Sequence, residues 1–237
     1  MDTQADYAPP PPGSSEITPA EGLVSLSLRE GWETLKRDPA VMIGFCLLKI
    51  PITAVAAWIL GGTMAIGAVS GGDIAPFEQF RKLIWGSAIG LLDGLLSAGI
   101  LYAALRIQRR EPVPFSTLFS AFSKFVPIIL AFVIAKLVIG FGILFLFVPG
   151  SIFALALSQW PLLIMDRGTG GPESLGQSWH MMRGFKADYF LLWLVLITIN
   201  FVGLIPLGAG LLVTVPFTYA TQAAFYDRLI QIHPPEA

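Results

Sequence analysis

The chain has 237 residues, 54% of them hydrophobic and only 13% charged, with a formal net charge of −1 and a mean hydropathy of +0.70. A soluble domain carries about 25% charged residues, so this composition excludes a water-exposed globule and places the chain in a membrane. Its basic residues are dispersed and form no patch for nucleic acid.

Residues 1–20 hold four consecutive prolines, Pro9 to Pro12, and no aliphatic core. They are expected to form a disordered Pro-rich cytoplasmic tail, either a solvated leader or a ligand for an aromatic groove on a partner. They do not read as a secretory leader, because the first basic residue is Arg29 and the opening carries Asp2 and Asp6. Residues 21–229 form a single transmembrane domain, and residues 230–237 a short cytoplasmic tail.

Six apolar stretches follow, at residues 41–62, 83–105, 126–148, 149–165, 189–205 and 207–226. Each is close to the ~20 residues that a helix needs to cross the hydrocarbon layer. The predicted fold is all-α: a polytopic membrane protein with six transmembrane helices as three hairpins, each preceded by an amphipathic interfacial helix. The first hairpin is expected to close through a longer loop, from Gly61 and Gly62 past Gly71 and Gly72 to Pro76. Residues 126–165 contain one charge, Lys136; they are too long for one span and fit two joined by a tight turn at Pro149 and Gly150, since proline lacks an amide proton and glycine tolerates positive φ. Gly203, Pro206, Gly208 and Gly210 serve the same purpose between the last two spans.

Before each hairpin an aliphatic residue stands four positions ahead of an aromatic one: Leu28 and Trp32, Leu118 and Phe122, Leu175 and Trp179. Residues so spaced share a helix face, and the six are assigned as interfacial anchors. In the first segment Val24, Leu28, Trp32 and Leu35 are expected on one side, with Arg29, Glu30, Glu33 and Lys36 elsewhere. Three copies entering from the same side would be parallel repeats. Mitochondrial carriers also have three hairpins, but their acidic signature after a proline is absent, since Pro149 is followed by Gly150, Ser151, Ile152 and Phe153.

Eleven of the fifteen Lys and Arg residues fall on one side of this arrangement: Arg29, Lys36, Arg37, Arg106, Arg109, Arg110, Lys124, Arg167, Arg183, Lys186 and Arg228. The opposite loops carry Arg81 and Lys82. The positive-inside rule puts the eleven, and both termini, in the cytoplasm, which makes the expected location a bacterial inner membrane.

No catalytic, metal-binding or cofactor-binding constellation is visible. His180 has no second ligand at metal spacing, His233 lies in the tail, and Cys46, the single cysteine, reads as a packed apolar residue. Gly140-Phe141-Gly142 lacks the rest of a dinucleotide fingerprint and belongs to helix packing. The remaining chemistry is an intramembrane polar set of Lys49, Asp93, Lys136 and Asn200, with Gln159 at another depth. A charge near mid-bilayer costs about 2.5 to 3.5 kcal/mol even on the lenient insertion scale, so these residues should avoid lipid. Asp93 is the natural partner for one of the two lysines. The set is either an internal ion pair that fixes helix register or a polar pathway.

Three stretches resemble a diffuse group of bacterial six-helix membrane proteins that includes the membrane domain attached to some glycerophosphodiester phosphodiesterases. They are Phe147-Val148-Pro149-Gly150; Trp160-Pro161-Leu162-Leu163-Ile164-Met165-Asp166; and Glu173-Ser174-Leu175 with Ser178-Trp179 and Gly184. The resemblance extends loosely from Leu23 to Leu229 and implies six helices with interfacial segments. It implies no activity, because the phosphodiesterase reaction belongs to a soluble domain that the resemblance does not cover.

The sequence therefore leads to a nonenzymatic structural or accessory membrane protein. Its expected partners are membrane lipids and a larger membrane-protein complex or further copies of itself. The alternative is a small transporter or channel with a polar pathway at Lys49, Asp93 and Lys136.

Overall fold

The computed structural model describes residues 22–69, 75–145, 147–206 and 208–232. The Pro-rich tail, Gly71, Gly72 and His233 lie outside the described residues. Ten α-helices and one 3-10 turn make up the described chain, with no strand among the described residues: α1 (Leu23–Arg37), α2 (Pro39–Val69), α3 (Ala75–Gln108), the 3-10 turn Phe115–Phe119, α4 (Ser120–Ser123), α5 (Phe125–Phe145), α6 (Phe147–Ala156), α7 (Trp160–Arg167), α8 (Gly171–Met181), α9 (Lys186–Leu204) and α10 (Leu211–Ile232).

Among the described residues, five stretches are long and apolar enough to cross a membrane: Pro39–Ile59, Ile84–Gln108, Phe125–Leu144, Val148–Arg167 and Lys186–Leu204. The sixth expected span, 207–226, is helical only from Leu211 and continues to Ile232. Thr214, Thr218, Thr221 and Gln222 dilute its apolar character. The physical reason is its position. Pro216, Phe217, Ala220, Thr221, Ala223 to Tyr226 and Arg228 to Ile230 are all buried by neighbouring helices, so α10 meets protein where the outer helices would meet lipid.

α10 packs against α1, α2, α3 and α9. The main core holds Phe217, Ala220, Ala223, Phe225, Tyr226 and Leu229 of α10, together with Leu35, Met42, Phe45, Leu96, Ile100 and Leu192. A second core joins the far side of α3 (Leu95, Ala98) to Ala121, Ile128, Ala131, Ala135, Ile164 and Leu175. α3 is therefore shared by both.

Two local expectations are corrected. α2 passes through Gly61 and Gly62 as helix to Val69, since glycine weakens a helix by only about 1 kcal/mol and the residues around it are apolar. Pro149 and Gly150 do not form the turn after α5. They belong to the first turn of α6, where the missing proline amide would be unpaired in any case. Gly150 instead lets α6 lie against α5, because a Cβ there would stand 2.4 Å from Ile143 Cγ1. Between α9 and α10 the chain does reverse near Pro206 and Gly208, and Gly208 takes a left-handed φ of 82°.

The buried face of α1 also differs from the expected stripe. Leu26, Ser27, Gly31, Thr34 and Leu35 are buried, whereas Val24 and Leu28 are half-buried and Trp32 is 46% exposed. Small residues turn inward because α1 lies directly on α10. A Cβ on Gly31 would fall 2.3 Å from Thr221 Oγ1 and 2.7 Å from Thr221 Cα. Gly31→Ala is expected to force the two helices apart and cost about 1 to 3 kcal/mol. Gly176→Ala, where nothing stands within 4 Å, should be neutral or slightly stabilising; thermal unfolding of both variants in detergent checks the contrast.

Candidate functional site

Polar groups gather at three places on this scaffold. The first is within the membrane layer. Lys49 lies about 15 Å along α2 from Pro39 at the helical rise of ~1.5 Å per residue. Its ammonium contacts Asp93 Oδ1 of α3 at 2.9 Å and donates to Ser97 Oγ at 2.7 Å and to Tyr219 Oη of α10 at 2.9 Å. One ammonium thus ties α2, α3 and α10 together. The Lys49 side chain is only 16% exposed, whereas that of Asp93 is 48% exposed.

The other two residues of the expected set lie apart from this pair. Lys136 is exposed on α5, with its ammonium 5.4 Å from the centre of the Phe132 ring. The reason is local: α5 buries Ile128, Ala131 and Ala135, and Lys136 projects from the adjoining side of the helix. Asn200 belongs to a separate clasp between α9 and α10, where its Nδ2 donates to Thr218 Oγ1 at 2.8 Å and its Oδ1 accepts from Thr214 Oγ1 at 3.0 Å.

The second place is a helix break. Leu157 to Gln159 separate α6 from α7 inside the fourth apolar stretch, where Pro161 near the start of α7 cannot donate a backbone hydrogen bond. Backbone groups freed in an apolar layer need partners. Ser178 of α8 supplies them: its hydroxyl donates to Ala156 O at 2.8 Å and accepts from Gln159 N at 3.1 Å. At the other end of α7, Lys124 Nζ donates to the carbonyls of Ile164 at 2.7 Å and Met165 at 3.1 Å. Burial pushes the Lys124 pKa below the ordinary lysine value, partly opposed by the nearby Asp166 carboxylate.

The third place is a charged belt at the end where α1, α3, α7 and α10 meet. Arg109 bonds Asp166 at 2.6 Å and Asp227 at 2.9 Å. Tyr226 Oη donates to Asp166 Oδ2 at 3.2 Å. Arg228 is paired with Glu30 of α1, and Arg37 donates to Gln108 O at 2.9 Å. Burial alone would lower the pKa of Arg109, but its hydrogen bonds and charge contacts with Asp166 and Asp227 raise it; the hydrogen bond with Glu30 is the main cause raising that of Arg228. Both remain cations at any ordinary pH. The basic count in the sequence revealed the arginines but not their acids. Asp166, Asp227 and Glu30 are each separated in sequence from their partners, so no local spacing announces the pairing.

The residues assigned as anchors differ in burial. Leu118 and Leu175 are buried, Leu28 and Trp179 half-buried, and Trp32 and Phe122 exposed. Lys186 Nζ sits 4.1 Å from the Trp179 ring centre and Lys36 Nζ 5.7 Å from that of Trp32. The sequence reading missed an aromatic ladder, Phe45, Phe115, Phe119 and Phe122, with successive ring centres 5.9, 6.0 and 6.2 Å apart. Beside it runs an apolar groove of about 440 Å³ lined by Ala40, Val41, Gly44, Phe45, Leu48, Val113 and Phe115. Cys46 is buried, His180 is exposed, and no group of three metal-ligating side chains occurs among the described residues.

The intramembrane pair has a direct energetic test. Lys49→Met leaves the Asp93 carboxylate without its cation and is expected to cost about 3 kcal/mol. The double variant Lys49→Met/Asp93→Leu should be more stable than Lys49→Met alone. A double-mutant cycle of thermal unfolding measures the coupling.

Residues 141–233 match the model of a family described as a protein of unknown function (DUF975). A UPF0259 membrane protein of Sodalis glossinidius (strain morsitans) is 30% identical over 107 residues, which are 43% of this chain and 43% of that protein. The chain thus spans less than half the length of the curated relative that it matches. No solved structure matches. With its several apolar helices, the chain is a multi-pass membrane protein, similar to bacterial membrane proteins of uncharacterised families.

Proposed function

We propose that this protein is a noncatalytic structural or accessory component of a bacterial inner membrane, which binds lipids or other membrane proteins through its basic end. The observation that carries this reading is the set of exposed aromatics, Trp32, Phe115, Phe119 and Phe122, on the short segments that precede the first two hairpins. Tryptophan favours the headgroup level, exposed phenylalanines suit the acyl chains beside it, and the cations beside Trp32 and Trp179 suit anionic phospholipids. The apolar groove next to Phe115 offers room for part of an acyl chain. Lys49, held by Asp93, Ser97 and Tyr219, acts as a clamp between helices, and this favours an accessory role over transport.

In this reading six helices cross the membrane as three hairpins. α2 with α3, α5 with α6 and α7, and α9 with α10 form the pairs, each entered through a short segment at the basic end. The part of α10 that precedes the charged pair Asp227 and Arg228, from Leu211 to Tyr226, spans about 24 Å at ~1.5 Å per residue, so together with the turn before it the segment covers most of the hydrocarbon layer. Both termini are then cytoplasmic. The resemblance to the membrane domain of some glycerophosphodiester phosphodiesterases agrees with such a role, since a membrane domain of that kind need carry no catalysis.

Two measurements test the proposal. On a Cys46→Ala background, a membrane-impermeant maleimide should label Ala209→Cys in spheroplasts, where the outer face is open to the reagent, and Ser116→Cys only after permeabilisation. The reverse pattern overturns the orientation. In reconstituted vesicles, phosphatidylglycerol should raise the melting temperature above that in phosphatidylcholine, and Lys36→Gln/Lys186→Gln should shrink the difference. Equal melting in both lipids would remove the lipid-binding role.

A further inference from the structure

α3 packs against both α2 and α5, and along the first half of its apolar stretch, Ile84–Gln108, the described residues leave one of its faces uncovered. Gly86, Gly90 and Gly94 recur at four-residue spacing along it. A Cβ at Gly86 or Gly94 would meet nothing within 4 Å, and one at Gly90 would touch only Phe132 Cζ of α5, at 3.7 Å. On the same side stand two opposite charges. The Asp93 side chain is 48% exposed and engages Lys49 through Oδ1; Lys136 stands exposed beside Phe132.

Lys136 is about 17 Å along α5 from Phe125 and about 13 Å from Phe145, at ~1.5 Å per residue. Neither interface is within easy reach of its stem, and hydrocarbon offers it no anion. A charge so placed is stable against a protein partner, not against lipid. What would cover the face must therefore bring an acid to Lys136, a cation or donor to the open side of Asp93, and a surface that can approach a glycine floor closely.

We propose that the covering partner is a second copy of this chain, docked by a two-fold axis through the α3 and α5 face. The face carries both signs of charge, so it complements itself: Asp93 of each protomer meets Lys136 of the partner subunit, and the reciprocal pair forms by symmetry. The carboxylate then bridges its own Lys49 and the incoming ammonium. The glycines at 86 and 94 let the partner's backbone come near enough for that contact, as small residues do in transmembrane helix pairs. The dimer uses a surface other than the basic end, so it extends the accessory reading without depending on lipid binding there.

The test is the fraction of dimers, counted by single-molecule photobleaching of the full chain in vesicles over a range of protein-to-lipid ratios. The wild type should pass from monomer to dimer as the ratio rises. Gly94→Leu fills space that is empty in the protomer, so its melting temperature should stay close to that of the wild type while dimerisation weakens by about tenfold or more. Lys136→Asp sets an acid against Asp93 of the partner subunit and should act in the same direction. Val202→Ala, on an exposed part of α9, should dimerise normally. A wild type that stays monomeric at every ratio overturns the proposal, as does undiminished dimerisation of both Gly94→Leu and Lys136→Asp. Keeping the phosphatidylglycerol effect in the monomeric Gly94→Leu variant would show that the lipid reading stands separately, and losing it only in Lys36→Gln/Lys186→Gln would leave the dimer untouched.

Discussion

The close seating of other helices on α10 is the contact on which the rest of the molecule depends. α10 is lined by Ala220, Ala223 and Ala224, all fully buried, and Gly31 allows α1 to lie almost backbone to backbone against Thr221. Between helices in lipid, apolar burial supplies little driving force, because acyl chains are as apolar as leucine. Close packing and polar clasps must provide the specificity. That explains why α10 carries the hydroxyls that engage other helices, Tyr219 towards Lys49 and Thr214 and Thr218 towards Asn200, and why its last turns enter ion pairs with Glu30 of α1 and with Arg109 just after α3.

The same constraint governs the break between α6 and α7. A gap in a helix within an apolar layer would leave an acceptor and a donor without partners, at several kcal/mol for each. Ser178 answers both with one hydroxyl, and Lys124 covers carbonyls at the far end of α7. α8 is therefore an integral part of the fourth apolar stretch and not simply a helix lying beside it. Its burial of Ser174, Leu175, Ser178 and Met181 fits that role better than a purely interfacial one.

Much of the helix content could be read from the sequence because length and apolarity suffice for it: five stretches stand out whether or not their neighbours are known. α10 was legible as a helix but not as the centre, since its threonines and tyrosines lower the signal that marks an outer helix. The inward face of α1 was misread for a related reason. Hydrophobic periodicity ranks Trp32 above Gly31, yet in a tight helix pair the residue with no side chain is the one that faces its neighbour. Pro149 and Gly150 looked like a turn because proline and glycine punctuate soluble chains, whereas here one starts a helix and the other admits α5. For the polar set, scarcity alone pointed to Asp93 as a lysine's partner. The choice of Lys49 over Lys136, and the pairing of Arg109 with Asp166 and Asp227, depend on helix order around the bundle, which no local pattern encodes.

The link between Glu30 and Arg228 spans 198 positions of the chain, and this bears on how the protein is made. α1 leaves the ribosome long before the helix that it rests on, which is synthesised almost 200 residues later. At about 5 to 20 residues per second, the first helix waits roughly 10 to 40 s with its inner face of Ser27, Gly31 and Thr34 uncovered. Its amphipathic character gives it somewhere to wait, parked on the bilayer surface until α10 arrives. Final assembly is therefore a late event, and a nascent chain halted before α10 would leave the earlier helices in the membrane without their common support.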